Sequence, residues 1–143
     1  MLRLIEFISN HPFLVSLFIA ILALLLWNVF SGSLTGVALI GPADATFLMN
    51  RENAAVIDLR AAGDFRNGHI LNAVNIPESE LQERQKDLGK YKGKPVIACC
   101  QNGAVSGRVA RTLRTEGFEK VYCLKGGVAA WQSANLPVAR GTD

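Results

Sequence analysis

The sequence predicts an α/β domain with a five-stranded, mostly parallel sheet and helices on both faces, preceded by one transmembrane helix. Three observations carry this. Short apolar runs alternate with helical stretches from residue 36 to about 137, the order that builds a parallel sheet. No Asp, Glu, Lys or Arg lies between Glu6 and Asp44, so one end is uncharged. The length of 143 residues leaves room for one domain of roughly 100 residues plus an appendage.

Residues 13–30 are apolar except for Ser16 and Asn28. Eighteen helical residues rise about 27 Å, close to the thickness of a bilayer's hydrocarbon core. Pro12 suits a first helical turn, where its missing N–H is no loss. Trp27 lies near the far end, where an amphipathic ring rests at headgroup level. Residues 1–11 therefore read as an N-terminal tail, 12–30 as a membrane-embedded span and 31–35 as a small, polar linker. A cleaved signal peptide has a cleaner basic start than Arg3 with Glu6, and a better cleavage site than Ser31, Gly32 and Ser33. The rest of the chain keeps a net charge of +3. It shows no basic stripe interleaved with aromatics, so no nucleic-acid partner is expected.

Residues 36–40 read as a first strand, and Gly41 with Pro42 opens a helix to about Asn50. Residues 54–59 form a compact apolar run ending near Asp58, short enough for a buried strand. Residues 61–69 are turn-rich, with Gly63, Asn67 and Gly68 as breakers. Residues 73–76 give a third strand, 78–88 a polar helix and 89–94 a basic turn. Residues 95–99 are the strongest strand, apolar and bounded by Pro95 and the Gln101, Asn102, Gly103 turn. Residues 106–116 read as a helix with Gly117 as its stop. Residues 121–124 are a fifth strand, Gly126 with Gly127 a turn, and 128–133 a last helix.

Sites in parallel sheets form at the carboxyl ends of the strands, and Cys100 occupies one such end. It precedes a glycine-containing turn that leads into a helix. Loop amides and the helix N-terminus would then point at its sulfur and favour an anion there. That environment lowers a thiol's pKa without an adjacent base, and it suits the oxyanion groups of a donor such as thiosulfate. A cysteine at a strand end is also, as often, only a small buried hydrophobe. Cys99 should point to the opposite face and belong to the core. Cys123 falls in the adjoining strand, within reach of a role as resolving thiol. The three cysteines have neither a secreted-type disulfide spacing nor a zinc pattern, and no metal or cofactor is expected.

The run Cys100, Gln101, Asn102, Gly103, Ala104, Val105, Ser106, Gly107 resembles the active-site loop of the rhodanese family. Val56 to Arg60, with Asp64, Phe65 and the stretch from Gly68 to Pro77, is similar to a second signature of that family. Gly117, Phe118, Val121, Tyr122 and Leu124 to Trp131 resemble a third. The likeness covers residues 36–137, with 138–143 left as a tail. With its leading span the chain resembles the rhodaneses of bacterial inner membranes, the YibN type. The resemblance implies a rhodanese-like fold and a ping-pong sulfur transfer. Cys100 would take sulfane sulfur from thiosulfate or a persulfide and pass it to a thiol or cyanide. Residues 101–106 would form the substrate-binding cradle, and Asp58 and Arg60 would support the loop. His69 and Trp131 read as packing positions.

The loop departs from many relatives in carrying Ala104 and Val105 where a cation often attracts anionic donors; Arg108, one turn into the helix, could substitute, but it reads rather as part of a solvated helix face shared with Arg111 and Arg114. A phosphatase or arsenate reductase needs an arginine six residues after its cysteine to clamp equatorial oxygens. Ser106 and Val105 stand at those positions here, so that reading fails. A binding module that docks on other inner-membrane proteins is the rival from another class. A free nucleophilic thiol persists best in a reducing compartment, so the domain is expected on the cytoplasmic side.

Overall fold

The computed structural model describes residues 2–31 and 37–142, in two units, Met1–Gly36 and Val37–Asp143. The first unit holds helices α1 (Leu2–Asn10) and α2 (Pro12–Ser31), with Pro12 at the first position of α2. The helix α1 corrects the expected tail over 1–11.

Along α2 the described side chains, residues 12–27, include exposed Phe13, Phe18, Leu24 and Trp27. Among the described residues no helix is long and apolar enough to cross a membrane. The transmembrane helix expected over 12–30 is therefore not supported. The linker expected over 31–35 lies, after Ser31, outside the described residues.

In the second unit, β1 (Ala38–Ile40) leads to α3 (Pro42–Arg51) and β2 (Ala55–Asp58). There follow α4 (Ala62–Asn67), β3 (His69–Ile70), β4 (Val74–Asn75), α5 (Gln85–Leu88) and β5 (Val96–Cys99). The chain ends with α6 (Ser106–Thr115), β6 (Val121–Leu124), α7 (Gly127–Ser133) and β7 (Val138–Ala139). Five strands form one sheet in the order β1-β6-β5-β2-β4, every neighbouring pair parallel. Their carboxyl ends therefore share one edge. Asp58 lies level with Cys99, and Ala98 with Cys123.

The central strand β5 is buried throughout, as a strand covered on both faces must be. Its side chains alternate. Val96 and Ala98 join one core cluster with Ile57, Val109 and Leu113, while Ile97 and Cys99 join the other with Leu48, Phe65 and Trp131. Helix α6 thus covers one face, and α3, α4 and α7 cover the other. Cys100 returns to the α6 side.

Three expectations need correction. While the basic turn expected over 89–94 contains a 3₁₀ turn at Gly89–Tyr91, the helix expected over 78–88 is broken into a 3₁₀ turn at Glu78–Glu80 and the four-residue α5. Only Leu81 and Leu88 anchor that stretch in the core, one apolar contact every two turns, too few to hold one regular helix. The turn-rich residues 61–69 contain α4, fixed by buried Phe65. Val138 and Ala139, read as the start of a tail, pair antiparallel with Ile70 and His69 in a separate two-stranded sheet. Two-residue strands are too short for an alternation to show.

Leu113 is fully buried, whereas Leu39 on the edge strand is 67% exposed. Leu113→Ala should lower unfolding free energy by about 2–5 kcal/mol, and Leu39→Ala by less than about 0.5 kcal/mol. Equilibrium urea unfolding of the two variants measures both.

Candidate active site

Cys100 begins where β5 ends, and six residues later Ser106 begins α6. Gly103 makes the return possible. Its φ of 91° is a conformation side chains resist, and a Cβ there would lie 3.3 Å from the Gly126 amide. The Gly103 amide donates to the Cys100 sulfur at 3.0 Å. The buried Ser106 hydroxyl lies 4.0 Å from that sulfur and donates to the Gly103 carbonyl at 3.2 Å. Asn102 tightens the turn by accepting the Ala104 amide at 3.2 Å.

Burial by itself would push the Cys100 thiol up. The amides of Val105, Ser106 and Gly103, with the Ser106 hydroxyl, outweigh that and hold it below the ordinary thiol range. Cys100 is only 5% exposed, so these donors act where water competes little.

Helix α7 fixes the other side of the same peptides. The Val128 amide donates to the Cys100 carbonyl at 2.9 Å, and the Ala129 amide to the Gln101 carbonyl at 3.0 Å. With these two carbonyls tied to α7, the chain is held as it turns back toward the sulfur. Gly127 permits this contact: a Cβ on it would run into the Cys100 carbonyl oxygen and lie 2.7 Å from the Gln101 carbonyl. In the sequence the two glycines read only as a turn. Their function as a seat for the loop depends on a partner 25 residues away and leaves no local signal.

Asp58 and Arg60 stand at the carboxyl end of β2, beside this loop. Arg60 donates through Nε to Asp58 Oδ1 at 3.0 Å and through Nη2 to Asp58 Oδ2 at 2.7 Å. The same guanidinium reaches the Gly68 carbonyl at 2.7 Å and Gln101 Oε1 at 3.2 Å. Burial would lower the Arg60 pKa, but its hydrogen bonds and charge pairing with Asp58 raise it above the usual value. Asn75 closes the strand end by donating to the Asp58 and Arg60 carbonyls at 3.1 and 2.9 Å. The structure thus brings Cys100, Gln101, Asn102, Gly103, Ser106, Asp58 and Arg60 together. Ala104 and Val105 add backbone only, with no charge.

A family model for the rhodanese-like domain matches residues 42–134. The chain belongs to the rhodanese-like domain family. Escherichia coli (strain K12) YibN is 39% identical over 142 residues, covering 99% of both chains. The thiosulfate sulfurtransferase GlpE of Vibrio cholerae is 31% identical across 66% of this chain and 87% of its own. Among solved structures, a rhodanese-related protein from Thermoplasma volcanium superposes with a TM-score of 0.66 at 28% identity, covering 73% of this chain and all but 1% of its own. This rhodanese-like chain is therefore distantly related to thiosulfate sulfurtransferases.

The remaining sequence candidates fall outside the cradle of this rhodanese-like domain. Cys99 faces the opposite core cluster, and burial pushes its thiol well up, with the Asp58 charge adding to the effect. Cys123 lies on the Cys100 side beneath the loop, where burial also raises it. His69 is buried, bonds the Phe65 carbonyl at 2.7 Å and stacks on the Phe65 ring at 3.7 Å. Trp131 is core and donates to the Pro137 carbonyl at 3.0 Å. A surface cavity of about 500 Å³ lies at Phe65, Arg66, Val74 and Arg84 and includes no loop residue. The cradle itself is made of amides around one sulfur.

The alkylation rate of Cys100 by iodoacetamide should rise with pH through a midpoint below that of free cysteine. Gly127→Ala should move this midpoint up and slow alkylation at neutral pH by about three- to tenfold. Arg60→Met should lower unfolding free energy by about 3–5 kcal/mol, because it leaves Asp58 buried without its partner.

Proposed function

We propose that this protein is a sulfurtransferase in which Cys100 carries sulfane sulfur as a persulfide between a donor and a thiol or cyanide acceptor. The observation that carries this reading is the Gly103 amide 3.0 Å from the Cys100 sulfur, backed by the Val105 and Ser106 amides. These donors stabilise the attacking thiolate, and an anionic persulfide can occupy the same cradle. The likeness to a thiosulfate sulfurtransferase supports the reaction class.

The thiolate attacks the outer sulfur of the donor, and a new S–S bond forms at Cys100. The donor's own S–S bond breaks and its electron pair leaves, as sulfite from thiosulfate or as a thiolate from a persulfide. An acceptor thiolate or cyanide then attacks the outer sulfur of the Cys100 persulfide and regenerates the thiolate. Two easier displacements replace one difficult transfer, and they balance without an external oxidant. Asp58 and Arg60 hold Gln101 and the loop, while 101–106 receive the transferred sulfur and the donor.

The apolar unit at the N-terminus supports placement at a bacterial inner membrane. Exposed Phe13, Phe18, Leu24 and Trp27 point outward around α2, and a helix apolar on all sides needs an apolar surrounding. Residues 12–30 would attach the protein to lipid, with the rhodanese-like domain on the reducing, cytoplasmic side, where three free cysteines persist.

Intact-mass measurement after incubation with thiosulfate or cysteine persulfide tests the chemistry. The wild-type chain should gain one sulfur atom, lose it on addition of cyanide, and show no gain as Cys100→Ser. No gain with any donor would overturn the enzymatic reading in favour of a binding module. Alkaline carbonate extraction tests the attachment. The full chain should stay with the membrane pellet, and its release into the supernatant would refute lipid anchoring.

A further inference from the structure

An ion pair between Arg108 and Glu78 stands beside the candidate active site. Arg108 lies in the first turn of α6, its amide donating to the Val105 carbonyl at 3.1 Å. Glu78 follows β4, and its amide donates to the Leu59 carbonyl at 3.3 Å. The Leu59 amide in turn donates to the Cys99 carbonyl at 2.9 Å. Both ends of the bridge are thus tied to backbone a step or two from the nucleophile. The Arg108 and Glu78 side chains are 68% and 37% exposed, so their charges act through solvent at the rim. Residues 101–106 contain no Lys or Arg, which makes Arg108 the nearest cation along the chain to the cradle's helical end.

We propose that Glu78 is a specificity-determining residue that disfavours the dianionic donor thiosulfate relative to a monoanionic thiol persulfide by neutralising Arg108. This rests on the sulfur-transfer reading of Cys100 and leaves the displacement itself unchanged. A free guanidinium at a rim concentrates anions in proportion to their charge. A carboxylate in contact with it cancels most of that field beyond the pair. For a dianion roughly 10 Å away in water, the attraction withheld corresponds to about threefold in the second-order loading rate at low salt, and to less than about twofold for a monoanion. At physiological ionic strength a Debye length of about 8 Å removes most of the difference.

The test uses the full chain in neutral detergent, as wild type, Glu78→Gln and the double variant Glu78→Gln/Arg108→Gln. Thiosulfate and cysteine persulfide serve as donors, and the rate of Cys100 persulfide formation is read by intact mass at low and high ionic strength. Glu78→Gln should load from thiosulfate about threefold faster at low salt, and from cysteine persulfide less than about twofold faster. The double variant should return to the wild-type rates, and high salt should abolish the gain. Equal gains for both donors, no gain, or a gain that survives in the double variant would overturn the specificity assignment while sulfur transfer stands. Failure of all three proteins to load from either donor would overturn sulfur transfer and the assignment together.

Discussion

The hydrogen bond from the Gly103 amide to the Cys100 sulfur is the contact on which the rest of the site depends. For it to form, the chain must reverse immediately after a buried strand, and that requires Gly103 in a left-handed conformation. The reversal in turn requires the Cys100 and Gln101 carbonyls to find partners elsewhere, because buried carbonyls without partners are costly. Helix α7 supplies both partners. The parallel sheet makes this possible by ending β5 and β6 at one edge, so that the segment after β6 arrives beside the segment after β5.

Three cysteines in one fold show how narrowly the environment selects the thiol with a lowered pKa. Cys99, Cys100 and Cys123 are all buried. Desolvation raises each of them, since burial opposes the thiolate wherever it occurs. Cys99 has the Asp58 charge as a neighbour, which adds to the penalty. Burial outweighs what the Ser106 hydroxyl and the more distant Arg111 charge do to lower Cys123. Cys100 alone has several amides turned toward it, and alone is held below the ordinary range. Burial is the common condition; the direction of the backbone N–H groups makes the difference.

Much of the fold was legible because its signals are local. Strands such as Val96–Cys99 announce themselves as short apolar runs, and the helix Ser106–Thr115 by its periodicity and the following glycine. The position of Cys100 at a strand end was equally plain, and so was the opposite facing of Cys99, which follows from the two-residue period of a strand. What escaped depends on distant partners. The β3–β7 pair joins residues about 70 apart through two-residue strands. The seat formed by Gly127 is a contact between the start of α7 and the loop after β5. The broken stretch from Glu78 to Leu88 failed as one helix because polarity reads the same in a regular helix and in a series of turns. The apolar N-terminal segment shows the converse limit: its composition is conspicuous, yet among the described residues no helix is long and apolar enough to cross a membrane.

The loop is held on three sides, and none of the holds uses the side chains of Ala104 or Val105. The sulfur side is held by amides, and the carbonyl side by α7. The flank is held by Arg60, whose planar fork reaches Asp58, Gly68 and Gln101 together. A lysine could not satisfy that set, since a single ammonium lacks the fixed spread of donors. Because the cradle is made of backbone and braced from outside, the side chain of residue 104 contributes little to its shape, and that of residue 102 only its turn. Asn102 and Ala104 are exposed, whereas Val105 is half-buried and packs against the core. Exposed positions such as 102 and 104, and surface charges such as Arg108 and Glu78, can therefore vary without disturbing the geometry that holds the thiol low.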